Sequence, residues 1–213
     1  RRCYGFFHPR LPGEPLIFVE VALINEIATS ITPLLDESAA PADLDRATTA
    51  IFYSISNTQV GLRGVSFGDS LIKRVVESLH QEFPRLKTFA TLSPIPGLRA
   101  WLAKKAPPEL LQAWEAAPEL AEKSPPRVAL KQWAASYLAQ ELQDGKPLDA
   151  VARFHLGNGA RVERLNWAAD PSAKGIRQSY GLMVNYLYDL KRLDRNRAAL
   201  AQGKVPVAPA IRE

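Results

Sequence analysis

One cysteine, one methionine and three histidines are all that 213 residues contain of those types. A lone Cys3 cannot close an internal disulfide, so the fold relies on its core, and a reducing cytoplasm is the default location. Histidines at positions 8, 80 and 155 are too few and too scattered for a zinc site, so no metal centre is expected. No apolar run approaches the ~20 residues that a membrane span requires. The opening Arg1-Arg2-Cys3-Tyr4-Gly5 lacks the apolar stretch and small-residue cleavage site of a signal peptide. Internal repeats and low-complexity stretches are absent as well. Positive charge is in modest excess, with a net +5 and a pI near 9.4. The Lys and Arg residues are dispersed, without a basic stripe interleaved with aromatics, which argues against a nucleic-acid partner. A polyanionic small molecule asks for only a few of them.

The composition, 46% hydrophobic and 23% charged, is that of a globular protein, and the length suits one domain with a sizeable core. Residues 15–23 (PLIFVEVAL) form a nearly continuous run of bulky and β-branched side chains, the pattern of a buried strand. Residues 50–56 (AIFYSIS) predict a second strand and 87–92 (KTFATL) a third. Residues 25–35 and 43–49 read as helical or irregular, punctuated by Pro33 and Pro41. Between Gly97 and Gly145 five prolines separate short stretches rich in Ala, Leu, Glu and Trp, which predicts a helical insertion over 98–148. Asp149 is placed to cap a short helix that Gly157 or Gly159 ends. Residues 161–167 read as a strand, 179–190 fit strand and helix equally, and the charged, Pro/Ala-rich tail past Lys191 is expected to be poorly ordered. Strands alternating with helices around one sheet make this a mixed α/β chain.

The most informative stretch runs from Gln59 to Gly97. A glycine loop (QVGLRGVSFGD) follows the second strand and leads into residues 70–83, where Leu71, Ile72, Val75, Val76, Leu79 and Phe83 recur at helical spacing. A strand that turns through glycines into a helix aims free backbone N–H groups at one point, backed by the helix dipole, and this suits a pyrophosphate. The loop is not a Walker motif, because no Lys-Ser/Thr pair follows its last glycine, and no acidic residue completes a dinucleotide fingerprint. The helix gives way at Pro84, and the third strand delivers Ser93-Pro94-Ile95-Pro96-Gly97, two prolines fixing the backbone just after a serine. Ser93 is not in a Gly-x-Ser-x-Gly elbow, which weighs against a Ser-His hydrolase. His155 precedes two glycines, and its tunable pKa suits proton donation at neutral pH. His80 falls on the amphipathic helix as a surface residue, and His8 has no evident partner.

Gly61-Leu62-Arg63-Gly64-Val65, Leu71-Ile72-Lys73-Arg74-Val75-Val76, Glu82-Phe83-Pro84 and Leu92-Ser93-Pro94-Ile95-Pro96-Gly97 together resemble malonyl-CoA decarboxylase. Arg2-Cys3-Tyr4 with Pro12-Gly13-Glu14-Pro15-Leu16, Phe154-His155-Leu156-Gly157-Asn158-Gly159-Ala160 and Gly181-Leu182-Met183-Val184-Asn185-Tyr186 resemble the same family, in the same order. The resemblance covers nearly the whole chain and weakens between Arg99 and Asp149 and beyond Lys191.

The resemblance implies a GNAT-like acyltransferase fold with a helical insertion. It also implies one catalytic domain over residues 1–213, lacking the N-terminal helical domain through which the family packs and oligomerises. With no initiating methionine, the chain reads as a piece of a longer protein, expected to be a homo-oligomer when complete. The implied reaction turns malonyl-CoA and a proton into acetyl-CoA and CO2, with no metal or organic cofactor beyond the CoA thioester substrate. By resemblance Ser93 and His155 are the catalytic pair. Arg63, Gly64, Val65, Ser66, Phe67, Gly68 and Asp69 form the CoA-binding loop, and Asn185 and Tyr186 contact the thioester or enolate. Ser66 and Phe67 stand where some relatives carry an acidic and an aliphatic residue, so the loop is assigned phosphate binding but no acid role. Tyr186 and Tyr188 have the alternative of being core aromatics. The rival functions are an acyl-CoA-dependent N-acyltransferase on the same fold and a non-catalytic malonyl-CoA sensor.

Overall fold

The computed structural model describes residues 1–38, 44–62, 70–116, 121 and 123–212. The chain opens with an antiparallel pair, β1 (Arg2–His8) and β2 (Leu11–Ile24), the latter longer than the apolar run within it. Alternation along β2 sends Ile17, Val19 and Val21 into the larger of two apolar clusters and Ala22 into the smaller, so both sheet faces are covered. Residues 25–35 are irregular except for the single turn α1 (Thr32–Leu35), and Leu44–Arg46 make one 3₁₀ turn. β3 (Thr49–Asn57) pairs antiparallel with β2. Helix α2 (Ser70–Glu82) buries the whole anticipated face, Leu71, Ile72, Val75, Val76 and Leu79, together with Phe83 beyond its end, while His80 is exposed. The loop 63–69, anticipated as the phosphate cradle, lies outside the described residues.

β4 (Thr88–Thr91) returns parallel to β3, and one residue later β5 (Ser93–Pro94) begins. Residues 98–148 then hold α3 (Leu98–Lys105), α4 (Pro108–Glu115), α5 (Pro125–Gln140) and a small hairpin, β6 (Leu142–Gln143) with β7 (Lys146–Pro147). Leu98, Leu102, Trp114, Leu130 and Leu138 from these helices belong to the larger cluster, which ties the helices to the sheet. Asp149 caps α6 (Ala150–Gly157) as anticipated, its side chain accepting from the N–H groups of Val151 and Ala152. β8 (Arg161–Asn166) and α7 (Ala173–Ser179) follow.

The ambiguous stretch 179–190 resolves as the end of α7, a left-handed Tyr180 and then β9 (Met183–Leu187), the strand around which the site is built. β9 lies between β4 and β8 and also pairs with β5, all antiparallel. Buried on both faces, it sends Val184 and Tyr186, with Tyr188 just past its end, to the larger cluster and Met183 and Leu187 to the smaller. A periodicity test fails there because neither face is polar.

The expected poorly ordered tail is instead structured. α8 (Leu193–Ala201) packs beside α6, Val207 bridges to Val162 along the outer edge of β8, and α9 (Pro209–Arg212) closes the described chain. Two backbone bonds, Val162 N–H to Pro206 O and Ala208 N–H to Val162 O, use a strand edge that would otherwise be exposed. Gly159 (φ +86°) allows the close approach of α8, since a Cβ there would lie 2.7 Å from the Leu193 carbonyl oxygen.

Candidate active site

The site begins where two strands part. β3 and β4 run in parallel register from Thr49↔Thr88 to Phe52↔Thr91, and the Leu92 N–H still reaches the Phe52 carbonyl at 3.0 Å. Beyond that point Ser93 and Pro94 pair with Val184 and Met183 of β9, whereas the rest of β3 stays with β2. The divergence leaves a cavity of about 320 Å³ walled by Phe52 to Ile55 of β3, Ser93 and Pro94, one face of α6, and Ile17 and Leu71. Its described lining contains no Lys, Arg, Asp or Glu. A larger groove of about 870 Å³ between α5, β8 and α9 holds none of the anticipated site residues.

Ser93 and His155, 62 residues apart, meet in this cavity with Ser93 Oγ 3.2 Å from His155 Nε2. The other ring nitrogen, Nδ1, lies 2.7 Å from the Tyr188 hydroxyl. On its far side Ser93 Oγ sits 2.9 Å from Thr91 Oγ1, which also accepts the Tyr186 N–H at 3.1 Å. The result is a buried relay of four side chains, Tyr188–His155–Ser93–Thr91, with no carboxylate in it. The Tyr186 ring lies against the imidazole, with centroids 4.7 Å apart and planes 26° from parallel. Burial pushes the His155 pKa down to about 3 and raises that of the Tyr188 hydroxyl, so at neutral pH every member of the relay is uncharged.

Asp149 joins the two halves of the site. Its Oδ1 accepts from Val151 and Ala152 at the start of the helix that carries His155. Its Oδ2 lies 3.4 Å from the Gly97 N–H, at the end of the segment that carries Ser93, and 3.5 Å from the Tyr137 hydroxyl. Burial raises the pKa of this carboxyl against the lowering effect of those donors.

Of the other anticipated residues, the Tyr186 ring stacks on His155 and Asn185 points away from it. Asn185 is fully buried on the opposite side of β9, and its carboxamide is saturated by protein. The Nδ2 group donates to the carbonyls of Ala28 and Thr91, and Oδ1 accepts from Arg164 and Asn166. All four hydrogen-bonding positions of the carboxamide are used within the protein. Neighbours on a strand face opposite ways, which is why Asn185 and Tyr186 part here. The same rule could have found what was missed, since Thr91 and Tyr188 each stand two residues from an anticipated site residue.

Among the described residues no group of three or more His, Cys, Asp or Glu is placed to hold a metal ion, and no helix is long and apolar enough to cross a membrane. Cys3 is free and exposed.

Comparison with known proteins bears on the fold and the family. The fold is GNAT-like: 91% of the chain superposes on 78% of the GphF GNAT-like decarboxylase solved with isobutyryl-CoA, at a TM-score of 0.53 and 18% identity. At that identity the likeness bears on the fold alone. The model of the malonyl-CoA decarboxylase C-terminal domain matches residues 1–213, and the chain belongs to that family. Malonyl-CoA decarboxylase from Rhodopseudomonas palustris is similar at 49% identity and a TM-score of 0.90, over 99% of this chain and 52% of that one. The mitochondrial malonyl-CoA decarboxylase of the goose Anser anser anser is 40% identical over 93% of this chain and 46% of its own length. The chain thus spans about half the length of the relatives it matches.

Proposed function

We propose that this chain is a catalytic domain that decarboxylates malonyl-CoA, with Ser93 and His155 as the reacting pair. The observation that carries the reading is their 3.2 Å approach in a cavity whose described lining has no ionised side chain. A malonyl carboxylate held there by neutral donors is poorly solvated, and the loss of CO2 disperses its charge. The C–C bond breaks, its electron pair moves into the thioester to form an enolate, and CO2 leaves. Ser93 O–H holds the carboxylate or thioester oxygen, and His155 Nε2–H faces the enolate carbon that takes up a proton to give acetyl-CoA. A proton drawn from solvent through the space left by CO2, the one proton that the reaction consumes, restores the relay.

The CoA pyrophosphate is assigned to Arg63, Gly64, Val65, Ser66, Phe67, Gly68 and Asp69. The assignment is supported by the glycine spacing and by Leu71, in the first turn of α2, lining the cavity. No further cofactor enters the proposed reaction, and the substrate and product, malonyl-CoA and acetyl-CoA, are the proposed partners. A homo-oligomer is proposed for the complete protein. The lone Cys3 supports a reducing compartment such as the cytoplasm, and the goose relative is named as mitochondrial.

Incubation with malonyl-CoA and no acyl acceptor tests the function. The expected outcome is acetyl-CoA and CO2 in equal amounts, with Ser93→Ala and His155→Asn each lowering turnover by about 10²–10³. An enzyme that consumes malonyl-CoA only when an amine acceptor is added overturns the reading in favour of an acyltransferase.

A further inference from the structure

We infer that Thr91 is a positioning residue for Ser93, the far end of a relay whose proton order it sets. The inference rests on the reading of Ser93 and His155 as the reacting pair. Thr91 and Ser93 sit two residues apart on the strand that parts from β3, so both hydroxyls project to the same side while Leu92 between them enters the smaller apolar cluster. Thr91 has no exposed surface, and it is fixed from two directions by β9. Its hydroxyl oxygen accepts the Tyr186 N–H at 3.1 Å, and its carbonyl accepts Asn185 Nδ2 at 2.7 Å. Ser93 Oγ lies 2.9 Å from that oxygen.

Two hydroxyls at this distance share one hydrogen bond, so only one of their protons can lie between them. When Ser93 donates to Thr91, its proton is held there, Ser93 Oγ accepts a hydrogen bond from His155 Nε2–H, and Nδ1 accepts from the Tyr188 hydroxyl. When Thr91 donates to Ser93, the serine proton is released. In the empty site it turns toward Nε2, with the imidazole proton on Nδ1 toward Tyr188; with substrate bound it turns to the carboxylate or thioester oxygen while Nε2 keeps its proton. The rotation of the Thr91 hydroxyl is therefore tied to where the Ser93 proton points, and in the empty site to the tautomer of a neutral His155. No charge is created in either state, which suits a buried site without counter-ions. The proposed reaction needs the state in which Thr91 donates, because only then is Ser93 O–H free to hold the anionic substrate while His155 Nε2–H faces the enolate carbon. Valine has the shape of threonine without the hydroxyl and leaves Ser93 with a single partner; serine retains the relay.

The test uses Thr91→Val, Thr91→Ser, Ser93→Ala and the Thr91→Val/Ser93→Ala pair in the full chain. It reads malonyl-CoA turnover at saturation, thermal midpoint and the imidazole ¹⁵N shifts of His155. With only three histidines, those signals are assigned by difference from His155→Asn. Thr91→Val is expected to lower turnover by about 10- to 100-fold, below the loss expected for a group that touches the substrate. Thr91→Ser stays within about threefold of the parent, because the hydroxyl is kept. In the Ser93→Ala background Thr91→Val costs nothing further, since residues acting through one another are non-additive. The ¹⁵N shifts move in Thr91→Val and hold in Thr91→Ser.

A Thr91→Val chain that melts earlier but keeps its turnover and ¹⁵N shifts overturns the inference and leaves Thr91 as a strand anchor for Tyr186. The same holds if Thr91→Val costs as much turnover in the Ser93→Ala background as in the parent. If the parent makes no acetyl-CoA, the functional reading falls. The ¹⁵N arm still decides the role of Thr91: moved shifts support it and unmoved shifts refute it.

Discussion

Two buried polar networks flank β9, and they are built on opposite plans. On one side Asn185 gathers Arg164, Asn166 and the carbonyls of Ala28 and Thr91, with each of its donor and acceptor groups used. On the other side Thr91, Ser93, His155 and Tyr188 are linked by hydroxyls and an imidazole whose protons can be arranged in two ways. That second network opens onto a cavity, and beside it the Tyr186 hydroxyl is buried without a hydrogen-bond partner among the described residues. Saturated amides have one arrangement and hold a structure, whereas a chain of hydroxyls around a neutral imidazole has two and can pass a proton. Burial alone does not separate them, since Asn185 and Thr91 are both fully enclosed.

The contrast is broken most severely at its rigid side. Asn185→Leu strands the buried carbonyls of Ala28 and Thr91 and the amide of Asn166, and should destabilise the chain by about 3 kcal/mol or more. Chemical denaturation checks this, and a loss under about 1 kcal/mol, within the range of one ordinary hydrogen bond, would erase the distinction drawn for that network.

A smaller effect, of another kind, is expected at Tyr188. Tyr188→Phe removes the hydroxyl on His155 Nδ1 but keeps the ring, so turnover of malonyl-CoA should fall by about tenfold or more while CoA affinity is retained. Steady-state kinetics with a CoA-binding measurement decides it, and a raised KM with unchanged kcat would move Tyr188 from the relay to the binding surface.

The remaining test is pH. His155 has a folded pKa of about 3, below the ordinary value near 6.5, so the unfolded chain binds a proton that the native chain excludes. Its contribution to stability is complete above pH 6.5 and is lost as pH falls toward 3, by at most about 1.4 kcal/mol per pH unit. Denaturation across that window should show the slope in the parent and a shallower one in His155→Asn. Equal slopes would mean that the imidazole is not held neutral.

Much of the scaffold was legible in local sequence. The apolar run of β2, the helical spacing of α2, the proline-broken helices of 98–148 and the Asp149 cap are consequences of side-chain chemistry within a few residues. Family motifs marked Ser93 and His155. By contrast, Asn185 and Tyr186 came from one motif, and only the alternation of a placed strand separated them. The C-terminal tail was misread because its order comes from partners elsewhere, the edge of β8 and the flank of α6.

Sequence by itself determined the core strand β2, the amphipathic helix α2 and the Asp149 cap, the lack of an internal disulfide and the two residues most worth watching. Tertiary structure alone decided that β3 and β4 part after Phe52, which opens the cavity. It also decided that Thr91 and Tyr188 complete a relay while Asn185 closes a scaffold. Periodicity records which side chains turn inward, but hydrogen bonds between residues 62 positions apart, such as Ser93 and His155, exist only once strand pairing has set their distance.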